Sequence, residues 1–126
     1  MLLIGQPIQT EHLFLLGGSN MKREFKFRVW DSMYLNWKNP EDYNYTELFL
    51  DDKYIVQQFT GLEDKNGVEI YEGDIIRGMM YFGPAGFHER SVIIKWDNEK
   101  GYQWNYWDLN SMKVEGNIFE NPELLK

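Results

Sequence analysis

Polar and apolar residues alternate at every second position through much of this chain, and turn residues cut the alternation at intervals of roughly 8–12 residues. Phe25, Phe27 and Val29 alternate with Lys26, Arg28 and Trp30, and Met33, Leu35 and Trp37 form a shorter second run that ends at Asn39-Pro40. A period of two sends successive side chains to opposite faces, so these segments are expected as half-buried strands, not helices. Residues 53–60 regain strand character. Asp64-Lys65-Asn66-Gly67 then carries the Asn-Gly pair that supplies positive φ for a tight hairpin. Glu72-Gly73-Asp74 marks a second turn and Gly83-Pro84-Ala85-Gly86 a loop. Residues 91–96 (Ser-Val-Ile-Ile-Lys-Trp) are expected as the most buried strand, 102–109 as another, and 113–115 as a short last one. Residues 46–50 fit a helical turn or a strand equally well. The pattern predicts a mainly β chain, α+β at most, built as a small antiparallel barrel or sandwich.

At 126 residues the chain has room for one ordinary domain or two very small ones. The expected division is an extension over 1–20, a β-rich part over 21–62 and a barrel part over 63–126. The first twenty residues contain two apolar clusters, but no Lys or Arg precedes them, so the positive start of a signal peptide is missing. Neither cluster approaches the ~20 apolar residues of a membrane helix, and no membrane association is expected. Gly17-Gly18-Ser19-Asn20 reads as a linker, with the compact fold expected from Met21. Leu13, Phe14 and Leu16 belong to an apolar run that is costly to leave in water, which marks them as candidate contacts of an arm that docks on a partner.

The chain has no cysteine, which excludes thiol catalysis, thiolate-bound metals and disulfides together. Thirteen basic against twenty acidic side chains give a net charge of −7, which disfavours broad binding to duplex phosphates. Lys22, Arg23, Lys26 and Arg28 form the one basic run; it reads first as a solvated strand face and second as a set of phosphate contacts. The carboxylates Glu63, Asp64, Glu69, Glu72 and Asp74 cluster beside turns, where backbone chemistry explains them better than acid–base catalysis does. His88 follows the Gly-Pro-Ala-Gly loop without a nucleophile near it, and no nucleophile elbow or phosphate loop is present. No catalytic, cofactor-binding or metal-binding residue is expected. The aromatic set is more suggestive. On a strand, Tyr102, Trp104 and Tyr106 share one face, while Trp107 sits on the polar face and is the ring least expected to be buried. All four are candidate interaction residues, by protein contact or by stacking on nucleobases.

Four blocks in order carry a resemblance: Arg23-Glu24-Phe25-Lys26-Phe27-Arg28-Val29-Trp30-Asp31, residues 58–67 (Gln-Phe-Thr-Gly-Leu-Glu-Asp-Lys-Asn-Gly), residues 69–76 (Glu-Ile-Tyr-Glu-Gly-Asp-Ile-Ile) and residues 115–125. Together they resemble the YopX family of small phage and prophage proteins. The resemblance implies a bacteriophage or integrated-element origin, a bacterial cytoplasm, and an SH3-like barrel in the second half beside a smaller N-terminal part. It implies no catalytic residue, because the family looks to be one without an established activity. The expected role is that of a non-enzymatic accessory protein that binds another protein and self-associates as a homo-oligomer. The alternatives are a single-stranded nucleic-acid module that uses the barrel aromatics, and an inhibitor of a host defence protein.

Overall fold

The computed structural model describes residues 25–125, and the chain divides into two units between Gly61 and Leu62. The first unit is built on β1 (Phe27–Asp31), β2 (Asn36–Lys38) and the long β3 (Tyr54–Glu63), whose course runs through the division. β1 lies between the other two and pairs antiparallel with each, so that Trp30 stands opposite Trp37 on one side and Ile55 on the other. Val29, opposite Val56, is fully buried. The expected alternation of Met33, Leu35 and Trp37 is interrupted here. Asp31 is buried, and its carboxylate accepts the backbone N–H groups of Met33 and Tyr34 at 2.9 Å each. Leu35 takes a left-handed conformation with φ 55°. The chain therefore reverses at 32–35, and Met33, Tyr34 and Leu35 stand exposed on the turn instead of lining a strand face.

The ambiguous 46–50 segment is helical. Helix α1 (Tyr45–Leu50) opens on a capping box, in which Asn44 Oδ1 accepts from Glu47 N–H (2.9 Å) and Glu47 Oε2 from Asn44 N–H (3.0 Å). Those reciprocal bonds satisfy two donors at the start of a helix too short to be stable alone. Leu48 then packs against Val29, with Phe27, Tyr43, Tyr45, Tyr54 and Val56 around the pair.

The second unit contains β4 (Glu69–Tyr71), β5 (Asp74–Tyr81), β6 (Phe87–Ile93) and β7 (Lys113–Asn117). Its turns lie where the sequence places them: Gly67 has φ 79° in the Asp64–Val68 turn, and Gly73 has φ 85° before β5. β5 runs between β6 and β7, antiparallel to both, and opposite Ile75/Ile76 β7 carries one extra residue, a bulge at Glu115. The result is a curled, half-barrel antiparallel sheet, and the chain is mainly β as expected. Ile70, Ile76, Ile94, Trp107 and Met112 form the core, with Leu62, Met80, Tyr102, Trp104 and Val114 packed around them.

Two strand expectations fail in this unit. Residues 91–96 are not the most buried strand: β6 ends at Ile93 and is exposed over nearly all its length, while Ile94 alone reaches the core. β6 is the outer strand of its sheet, and β5, flanked on both sides, takes the burial that apolar content had suggested for 91–96. Residues 102–109 are not a strand. Trp104 C=O accepts Trp107 N–H (3.0 Å), and this turn breaks the two-residue period.

Candidate interaction surface

The broken period decides which rings are available. Trp107, expected on the polar face, is turned into the core against Ile70, Ile76, Ile94 and Met112. Tyr106 is left outside at 61% exposure. Beyond Arg77, where β7 stops pairing, the segment takes over that edge of β5. Tyr81 N–H donates to Tyr106 C=O (2.7 Å), Asp108 N–H to Met79 C=O (2.9 Å), and Met80 stands opposite Trp107.

Trp96 is a ring that strand periodicity hid. The turn after it is held by the Asp97 carboxylate, which accepts from Glu99 N–H (2.8 Å) and Lys100 N–H (3.0 Å). These donors hold its pKa below the ordinary carboxylate value. Gly101 has φ 67° and lies under the indole, where a Cβ would come within 3.3 Å of the ring. Trp96 meets Tyr102 edge to face at 5.0 Å, and Tyr102 lies 6.0 Å from Trp104. The Tyr102 hydroxyl donates to Glu72 (3.0 Å), which fixes a ring that is half-buried. Along the chain, then, Tyr102 and Trp104 are half-buried, Tyr106 and Trp96 exposed, and Trp107 buried.

A second aromatic group sits at the tip of the β5–β6 hairpin. Tyr81 and Phe87 rings are 5.3 Å apart, Phe82 and His88 5.8 Å, and the Arg90 guanidinium lies 5.1 Å from the Phe82 ring. One His88 ring nitrogen is 2.7 Å from Ala85 C=O, so this histidine braces the tip. Two depressions join the groups. One, of about 260 Å³, is lined by Val92, Ile94, Tyr102 and Trp104, and the other, of about 370 Å³, by Tyr81, Phe82 and Gly83. The second unit thus carries two groups of exposed rings, one around Trp96 and Tyr106 and one at the β5–β6 tip, with Met80 and Tyr106 shared by the two depressions.

The described part of the basic run belongs to the first unit and has contacts of its own there. Arg28, in the first unit, donates from Nε to Gln57 (2.9 Å) and lies 4.5 Å from the Trp37 ring. Lys26 Nζ lies 4.8 Å from the Phe59 ring. Lys22 and Arg23, like Leu13, Phe14 and Leu16, lie outside the described residues. Of the carboxylate cluster, the two aspartates are occupied with backbone, while Glu72 accepts from Tyr102 and Glu69 from the Tyr71 hydroxyl at 3.4 Å. Asp64 accepts from Asn66 (2.8 Å), Val68 (2.9 Å) and Val114 (2.9 Å), and Asp74 accepts from Tyr71 N–H (2.8 Å). Among the described residues no group of three His, Asp or Glu side chains is placed to hold a metal ion.

A family model described as YopX protein matches residues 34–126. Among solved structures, the crystal structure of protein EF1440 from Enterococcus faecalis is similar to this chain with a TM-score of 0.55 and 27% sequence identity, covering 83% of this chain and 100% of that one. No curated protein matches the chain.

Proposed function

The chain belongs to the YopX family, and from that premise we propose that it is a non-enzymatic accessory protein of a phage or prophage, acting in the bacterial cytoplasm by binding protein and by self-association. One observation carries the reading: the two groups of exposed rings in the second unit, where Trp96, Tyr106, Tyr81, Phe82 and Phe87 are all between 43% and 61% exposed. Exposed apolar surface of this kind marks an interaction site, and Trp and Tyr are the side chains most often found as binding anchors. The polar groups nearby support the same reading. The buried carboxylates accept backbone N–H groups and His88 braces a hairpin tip, so the side chains suited to proton transfer have structural work. No helix among the described residues is long and apolar enough to cross a membrane.

Light scattering coupled to size-exclusion chromatography, on the full chain over a hundredfold concentration range, tests the self-association. Growth of a species of twice the chain mass, lost in Tyr106→Ala combined with Phe82→Ala, is the expected outcome. A monomer at every concentration removes self-association from the reading.

A further inference from the structure

We propose that two copies of this chain join through the outer edge of β6, antiparallel strand to antiparallel strand, about a twofold axis that passes at Ser91. The inference rests on the self-association reading and specifies its contact.

The hydrogen bonds at the two ends of β6 fix which way its backbone groups point. Ile94 N–H donates to Asp74 C=O and Ile94 C=O accepts from Gly73, while Gly86 C=O accepts from Phe82 at the other end. Inward-facing positions alternate in an antiparallel ladder, so 86, 88, 90, 92 and 94 face β5. Phe87, Glu89, Ser91 and Ile93 therefore send N–H and C=O outward. The Arg90 guanidinium reaching Glu89 C=O at 2.8 Å agrees, since that carbonyl is open to a side chain. Among the described residues β6 has no strand on that side in its sheet, and all its residues before Ile93 are exposed. An unpaired edge of this length is a template for another strand.

Charge selects the occupant and the register. Outward-facing residues must meet outward-facing residues, which allows twofold centres at 89, 90 or 91 near the middle of β6. A centre at 90 sets Arg90 against itself, and like charges directly opposite destabilise a sheet; a centre at 89 sets Glu89 against itself, each carboxylate already bonded to Arg77 of its own copy. A centre at 91 sets no like charges opposite each other. Arg90 then lies opposite the partner's Val92 and Glu89 opposite the partner's Ile93. Lys95, on the same alternation as Glu89, comes to its diagonal neighbour, twice by symmetry. Among the central registers the edge is thus most complementary to itself at 91, which is what a second copy requires. The two three-stranded sheets would join into six strands.

The absence of cysteine makes the test direct, because an introduced thiol is unique. In this register Ser91 faces Ser91 of the other copy as a hydrogen-bonded pair with Cα atoms ~5.5 Å apart, within disulfide range. Glu89 and the other copy's Glu89 are four positions out of register, roughly 13 Å apart and beyond it. Full-length S91C and E89C are oxidised under the same mild conditions, after circular dichroism shows each folded, and the unmodified chain is sized by light scattering. Covalent dimer from S91C, with little from E89C, is the expected result. A dimer by light scattering without cross-linking at S91C overturns the β6 contact and leaves self-association standing. Equal cross-linking of both variants overturns the register, and a monomer without cross-linking overturns both the contact and the reading beneath it.

Discussion

The Trp107 indole lies against the backbone of Gly78, so close that a Cβ on Gly78 would come within 3.1 Å of the ring. The same Cβ would meet Ser111 Oγ at 3.0 Å and the Met112 backbone at 3.2 Å. Ser111 is itself held, accepting Met79 N–H (2.8 Å) and donating to Asp108 C=O (2.6 Å). Gly78→Ala is therefore expected to destabilise the second unit by about 1–3 kcal/mol, the cost of overpacking a site whose neighbours cannot retreat. Urea denaturation followed by tryptophan emission checks it; an unchanged midpoint would show that the 107–112 segment yields freely.

Adjacent rings are expected to behave oppositely. Trp107→Ala empties a core position shared with Ile76, Ile94 and Met112 and should cost about 3–5 kcal/mol. Tyr106→Ala removes an exposed ring while keeping the backbone bond to Tyr81, so its cost should stay within about 0.5 kcal/mol while self-association weakens. Denaturation midpoints beside light-scattering mass separate the two roles. Equal destabilisation would mean that Tyr106 is packed and not available to a partner.

That contrast also marks how far the sequence could be read. The turns were legible because Asn66-Gly67 and Gly73 act through local backbone geometry, and Gly67 and Gly73 carry the positive φ their positions require. The strand identity of β1 followed from alternation, and that of β3 from the strand-forming residues Tyr54, Ile55, Val56 and Phe59. Burial order was not legible. Ser91-Val92-Ile93 reads as core by composition, yet β6 is an edge, and which strand lies in the middle of a sheet is a property of pairing across the chain. Period-two reasoning likewise assigned faces to Tyr106 and Trp107 that a single hydrogen bond, from Trp107 N–H to Trp104 C=O, exchanges. Alternation from Val92 and Ile94 puts Trp96 on the core side, but β6 ends at Ile93 and the ring stands exposed.

Acid should weaken this fold through its buried aspartates. Burial alone would raise the Asp64 pKa, but the N–H donors of Val114, Val68 and Asn66, with Lys113 nearby, bring it below the usual value. Asp31 is lowered too, chiefly by Tyr34 N–H and also by Met33 N–H, against the opposing effect of burial. A depressed folded-state pKa contributes stability that is fully present above the unfolded value, near 3.9, and is lost as pH falls through the folded one. Unfolding midpoints should hold steady from pH 7 to about 5 and fall below about 4. Asp64→Asn, whose amide nitrogen cannot accept Val114 N–H, should lose about 1–3 kcal/mol at neutral pH and show a shallower acid decline. An acid profile identical to the parent's would remove Asp64 from this account.

Single-stranded nucleic acid is the competitor that the rings most invite, and its absence is a prediction in its own right. Stacking on a strand needs aromatic faces in a row and cations that follow the phosphates. Here Trp107 is withdrawn into the core, Tyr102 is tied to Glu72, and Trp96 stands edge-on to Tyr102. Lys26 and Arg28 lie over Phe59 and Trp37 in the other unit, and the net charge of −7 opposes phosphate at low salt, where attraction would be strongest. Titration of the full chain with a mixed-sequence single-stranded oligonucleotide at low salt, read by tryptophan emission, should give no saturable quenching at micromolar concentration. Saturable quenching that Tyr106→Ala abolishes and added salt weakens would place a nucleic acid, and not a protein, on this surface.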